Sequence, residues 1–392
     1  MSTPTPIAYY MPAPEGIDEG IAKTLDTLSE SGIKVEVIGD PSEVRESLYT
    51  VLFLLKENTG AYAARIACRT SRSTLLIYTT STVSDMLYVK DLLESRGRKL
   101  HTVLVENEAD ILDRIRSYIR GYRAAAASSD MRILLFGADY DDTTLETLNS
   151  IVEPDYYVFA WDEASDTIDE GIKYSSLYID TYLSAYFDVK GKDEEKLSKS
   201  LGLYLAIKSV LDNEGANAVL IDCNRIYSSK GFTPWITMNL LLDEGIPASC
   251  MNRPLSLLVH AVSLALTGKP AWEPYMLKIK DSKLLLMGKL APTLLFKQVS
   301  LIDKGGYYEL TGQIRESEYI LVSLSPGRMM VSLNPVKVES YTKANNGVNV
   351  VANGASLWEN LLSDKVYLMP ITDIDSLRVS FESLNFKPIP GT

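Results

Sequence analysis

The stretch GFTPWITMNLLLDEGIPASCMNRPLSLLVHAVSLALTGKP, residues 231–270, decides the reading of the chain. Gly231 marks a turn, and Pro234 suits the first turn of a helix. Apolar residues at helical spacing over 236–242 predict that helix, and Gly245 after Asp243 and Glu244 predicts its C-terminal cap. Residues 246–250 read as a short buried strand, followed by the polar corner Met251-Asn252-Arg253. From Pro254 an almost unbroken apolar helix runs to Thr267, ended by Gly268 and Pro270. Helix, strand, polar corner, helix is the arrangement in which an α/β protein presents a site, because the corner lies at the strand's carboxyl end.

Outward toward the N-terminus, strand-like and helical runs alternate. Strands are expected at 7–10, 34–38, 51–55, 75–78 and 101–105, with helices ending near 31 and spanning 60–69, 83–95 and 109–122. That rhythm predicts a doubly wound domain on a parallel sheet. The run from Ala124 to Asp130 reads as a linker or frayed helix end. A second unit of the same kind starts at Met131, with strands at 133–136, 156–160 and 218–223 and a long helix at 194–213. The segment 165–191 is polar, tyrosine-rich and without a clear period. Past Gly268 the pattern turns to short strand-like runs at 275–280, 284–287, 299–302, 307–310, 319–324, 329–331 and 348–352, then a helix over 374–384. Turns such as Gly305-Gly306 and Asn346-Gly347 separate them, predicting a β-rich module, a barrel or a sandwich. The expected fold class is therefore α/β: two doubly wound parallel-sheet domains, 1–127 and 128–270, followed by a C-terminal β-rich domain, 271–392.

Composition excludes several classes of function. At 392 residues the chain suits two or three domains, and its 46% hydrophobic and 23% charged content is that of a globular protein. A net charge of −12 with no basic run argues against a nucleic-acid partner. No apolar segment reaches the ~20 residues a membrane span needs, and the first ten residues lack the pattern of a secretion signal. Cys68, Cys223 and Cys250 stand far apart and form no CxxC pair, so a disulfide or structural zinc site is not expected, and a cytoplasmic location follows. His101 and His260 are the only histidines, which leaves the commonest transition-metal ligand nearly absent.

The central stretch resembles the L-fucose isomerase-like family of sugar ketol isomerases, whose hallmark reads approximately TPC, LNDEGI-PA, CEGD and LTGKPAF. Thr233-Pro234, the run from Leu242 to Ala248, Cys250 and the run from Leu266 to Ala271 match it in order and spacing. Elsewhere the likeness rests on domain layout. The resemblance implies two α/β domains with a β-rich third, a closed homo-oligomer, and a divalent metal that polarises the sugar's C1 and C2 oxygens. It also shows where this chain departs. Where the family's metal-binding Glu and Asp stand, this sequence has Met251 and Arg253; where its histidine stands, it has Gly288 or Lys289. A thioether is a poor ligand for Mg²⁺ or Mn²⁺, and Arg and Lys repel a cation. No metal, other cofactor or catalytic residue is expected.

Two readings follow. One is a binding or assembly pseudoenzyme with a re-purposed cationic pocket, in which Arg253, Asn252, Lys289 and Arg225 hold an anionic small molecule such as a sugar acid or sugar phosphate. The other is an enzyme acting on an anionic sugar by metal-free chemistry. The plainer alternative pairs Arg253 with Asp243 or Glu244 and leaves Lys289 solvated. His260, on an apolar helix, reads as a core residue, and the acidic turn Asp139, Asp141, Asp142 as a solvated loop or helix N-cap. Self-association is expected through the apolar helix 255–266 and the tyrosine-rich segment 174–187.

Overall fold

Val51, Leu52, Phe53 and Leu54 have no exposed surface, the mark of a strand covered on both faces of a parallel sheet. The computed structural model describes residues 5–30, 33–106, 108–280, 283–315, 318–342, 347–352, 361–363, 365–370 and 373–389. It divides into two compact units, Met1–Ala126 and Ala127–Thr392. The first holds β1 (Thr5–Pro12), α1 (Glu19–Glu30), β2 (Glu36–Ile38), β3 (Ser47–Leu54), α2 (Gly60–Ala67), β4 (Thr70–Thr79), α3 (Val83–Ser95), β5 (Lys99–Val105) and most of α4 (Glu108–Ser129). All its strands are parallel, in the order β2-β1-β3-β4-β5, one of the two common doubly wound orders. Of the two readings of the run from Ala124 to Asp130, linker or helix end, the second holds: α4 continues to Ser129, because four consecutive alanines extend a helix better than any other residue.

The second unit begins with β6 (Arg132–Phe136), α5 (Asp142–Val152), β7 (Asp155–Phe159), α6 (Trp161–Ser175), α7 (Ile179–Tyr182), α8 (Glu194–Glu214), β8 (Ala218–Ile221), α9 (Cys223–Lys230), α10 (Trp235–Asp243), β9 (Ala248–Cys250) and α11 (Pro254–Thr267). Its sheet, β7-β6-β8-β9, is again all parallel. The central stretch is thus helix, strand, corner, helix as expected, with β8 and β9 side by side. The segment without a clear period is largely α6 and α7. α6 crosses α8 where Gly171 meets Gly202: a Cβ on Gly171 would stand 2.4 Å from the Gly202 carbonyl oxygen, so only glycine allows the crossing.

The β-rich part comprises β10 (Tyr275–Lys280), β11 (Lys283–Met287), β12 (Phe296–Asp303), β13 (Tyr308–Ile314), β14 (Glu318–Ser325), β15 (Met330–Thr342), β16 (Gly347–Ala352), β17 (Val366–Met369), α12 (Ile374–Ser383) and β18 (Lys387–Pro388). An antiparallel sheet runs β10-β11-β16-β15-β14-β17, with β18 added in parallel to β15, and β12 and β13 pair separately. This part and the second parallel sheet belong to one compact unit and share one apolar core. In that core Leu134, Phe136 and Ile221 of the sheet and Leu240 to Leu242 of α10 join Trp272, Leu286, Phe296 and Leu321. The two compact units meet in sequence at 126/127.

The apolar helix α11 packs on α5, β8, β9 and α12 of its own unit, and Leu257, Leu258, Val259 and Val262 have no exposed surface. Its apolar side is core, not an outer surface. Within the tyrosine-rich segment, Tyr174, Leu177 and Tyr178 are exposed. No helix of the described residues is long and apolar enough to cross a membrane.

Candidate functional site

In a doubly wound sheet the ligand crevice opens at the carboxyl ends of the strands where the order reverses. In the second unit that place is between β6 and β8. Two adjoining cavities open at that end of the sheet, of about 440 and 240 Å³, and Cys223, Asn224, Cys250 and Asn252 line both. The larger is walled by α9, α10, the corner after β9, and the start of the β-rich part. Three of the four expected ligand-binding residues, Asn252, Arg253 and Lys289, meet there. Arg225 does not: it faces the smaller cavity beside Asp139, 3.8 Å from its carboxylate, with its guanidinium 5.2 Å from the Trp161 ring.

The motif residues explain how the larger cavity is held. At the end of α10 the Asp243 carboxylate accepts hydrogen bonds from the backbone N–H groups of Thr293 and Leu294 and from the Thr293 hydroxyl, at 2.9–3.1 Å. One turn earlier, Asn239 Oδ1 accepts from the Ala291 N–H at 2.9 Å. These bonds pin the loop that carries Lys289 and Leu290 to the cavity wall. Burial pushes the Asp243 carboxyl above its ordinary range, against the pull of those bonds. Glu244 is taken by the hydroxyls of Tyr182 and Tyr204. Neither acid pairs with Arg253.

Arg253 has another partner. Its Nη1 lies 2.5 Å from Glu273 Oε1, and the Glu273 side chain is only 7% exposed. Burial raises the Glu273 carboxyl above the usual carboxylate range, and the Arg253 charge and the Ser256 hydroxyl oppose the shift. Lys289 sits over the Trp235 ring, 5.4 Å from its centroid, and 3.7 Å from Glu309. The lining therefore carries Arg253 and Lys289 against Glu273, a formal charge of +1, and both cations have carboxylate partners. This is less cationic than the sequence led us to expect. The smaller cavity, with Asp139, Asp141 and Asp222 against Arg225, is acidic. Two of these aspartates are helix caps. Asp141 accepts from the Thr144 hydroxyl and the Thr143 N–H, which holds it below the usual range, and Asp222 accepts from the Arg225 N–H.

The three positions matching the family's metal ligands do not make a metal site. Met251 lines the smaller cavity and Arg253 the larger. Gly288 has no room for a side chain, because a Cβ there would stand 2.9 Å from the buried Trp272 indole. Among the described residues no group of three His, Cys, Asp or Glu is placed to hold a metal ion. The donor set does not suit the ion, and no chemistry is assigned to one. His260 is fully buried in α11; burial lowers its pKa to about 4, the Ala271 backbone pulling the other way.

Several cavity residues escaped the sequence reading. Glu273 stands two residues past the GKPA end of the motif, and Trp235 directly follows Thr233-Pro234, so motif proximity was the available signal. Tyr227 and Tyr307 meet edge to face across the cavity, centroids 6.2 Å apart. Thr233 Oγ1 and Trp235 Nε1 are buried at the cavity wall with no hydrogen-bond partner.

One expectation is overturned. Cys223 and Cys250 form a disulfide, their Cα atoms 5.6 Å apart. They are 27 residues apart in sequence, but the parallel register of β8 and β9 sets Ile221 opposite Cys250 and brings the two sulfurs together. The cysteines therefore give no argument for a reducing compartment. No protein-family model matches the chain, and no curated protein matches it.

Proposed function

We propose that the second unit binds a small polyhydroxylated acid, a sugar acid or sugar phosphate, in the 440 Å³ cavity, on a scaffold of the L-fucose isomerase-like kind but without metal-dependent aldose–ketose isomerisation. In this reading 1–127, 128–270 and 271–392 correspond to the family's three domains. The observation that carries it is the lining itself, in which Arg253, Lys289 and Asn252 stand beside Trp235, Tyr227 and Tyr307. The Trp235, Tyr227 and Tyr307 rings offer faces to a sugar ring, while Arg253 and Lys289 attract an acidic group. Sugar acids and phosphates should raise the melting temperature of the wild type in a thermal-shift screen, and neutral sugars less. A screen in which none of them stabilises the protein ends this reading.

A second reading is favoured by Glu273. A carboxyl lining a cavity and raised by burial suits proton transfer. Glu273 would take a proton from C2 of an acidic sugar and return it to C1, while the O2 proton passes to O1. Incubation with sugar acids in D₂O separates the two: carbon-bound deuterium that Glu273→Gln abolishes supports catalysis, and its absence leaves binding.

A further inference from the structure

We infer that Cys223–Cys250 is a redox-active pair whose reduction by a dithiol frees α9 from the cavity wall. The inference concerns the wall and holds whatever fills the cavity. A purely structural bridge is usually packed into a core, whereas this one lies between two cavities, and Cys223 is only half-buried. A reductant therefore has space to approach from either side.

The chain between the two cysteines supplies six cavity residues, Asn224, Tyr227, Thr233, Pro234, Trp235 and Met238. Their attachments differ. α10 buries seven consecutive residues, from Ile236 to Leu242, and is clamped by Asp243. α9 is eight residues long and buries only Ile226. Too short to hold as an isolated helix, it depends on its ends: Lys230 bonds Asp169 at 2.6 Å at one, and the bridge at Cys223 secures the other. Cutting the bridge releases the end that carries Asn224 and Tyr227.

The chemistry is thiol–disulfide exchange. A thiolate of the dithiol attacks one sulfur of the bridge and expels the other as a thiolate, which takes up a proton. The reductant's second thiolate then attacks the mixed disulfide, releases the remaining cysteine sulfur, which is likewise protonated, and leaves as a cyclic disulfide. Two electrons and two protons pass to the protein.

The test uses the full chain with Cys68→Ser, so that every titratable thiol comes from the pair. Thiols are counted by alkylation and mass, and amide hydrogen exchange is followed over 222–230, before and after dithiothreitol. We expect no free thiol as purified, two after reduction with the fold retained, and exchange in α9 at least about tenfold faster, while β8 and α10 stay protected. The variant Cys223→Ser/Cys250→Ser should match the reduced form; should it misfold, the reduced wild-type pair decides alone. Free thiols in the unreduced protein, a bridge that yields only when the whole unit unfolds, or unchanged exchange in α9 would each overturn the inference.

Discussion

Gly288 shows how packing can close one position to any side chain. The Trp272 indole, fully buried and donating its Nε1–H to the Leu290 carbonyl at 2.9 Å, occupies the space a side chain at 288 would need. Gly288→Ala should lower stability by about 1–3 kcal/mol, the usual cost of overpacking, and Gly288→His by more; a chemical denaturation midpoint equal to wild type would refute the packing. Arg253 is bound to its counterion in a similar way. Removing it leaves Glu273, 7% exposed, without its nearest counterion; because Arg253 itself is 39% exposed, the cost is about 1–3 kcal/mol, below that of a fully buried pair. Loss of ligand binding in Arg253→Ala would therefore say little about binding, and Lys289→Ala, whose partner Glu309 keeps Lys304, is the cleaner probe. His260 sets a pH dependence. Its folded-state pKa of about 4 lies below the ordinary value near 6.5. Across that window the unfolded chain binds the proton and the folded chain does not, so stability falls as pH drops from about 6.5 to 4, by on the order of 3 kcal/mol. His260→Leu should flatten this part of the stability–pH curve; an unchanged acid loss would assign it elsewhere.

At the scale of elements, the α6–α8 crossing is the least tolerant point. The obstacle to a side chain at Gly171 is backbone, the Gly202 carbonyl, which cannot swing aside. Gly171→Ala should cost more than about 2 kcal/mol, whereas alanine at exposed Gly327 meets no neighbour; equal melting temperatures for wild type and Gly171→Ala would contradict this crossing. The bridge acts on the same scale. In the chain-entropy model, closing a loop of its length stabilises the folded state by about 3–4 kcal/mol. Elements with long apolar runs were readable from sequence: the core strands, α10, α11 and most of the β-rich ladder. Others were not, for physical reasons. α6 is WDEASDTIDEGIKYS and buries only Ala164, Ile168 and Ser175, so its apolar period is almost empty. α9 is CNRIYSSK, with one buried residue and no apolar period to announce a helix. β17 is four residues long and went unassigned. In the site, Arg253, Asn252 and Lys289 were legible through the motif, but Glu273 became Arg253's partner through tertiary packing that spacing does not encode. The disulfide depends on strand register, which is equally invisible in one dimension.

For the whole molecule, net charge and composition still bear on partners: at −12 the surface repels nucleic acid, while the large cavity carries a local +1. Self-association through Tyr174, Leu177 and Tyr178 predicts a light-scattering mass that is a multiple of 43.5 kDa, returned to a single chain by Leu177→Glu; a 43.5 kDa wild type would show that no second copy covers the patch. The central claim, a cavity lined by Arg253, Lys289 and aromatic side chains that takes a sugar acid, is tested most directly by calorimetric titration of the intact chain with glucuronate at low salt. The account predicts saturable binding of one ligand per chain, weakened about tenfold in Lys289→Ala. Absence of saturable binding, or equal affinity in the variant, would contradict it.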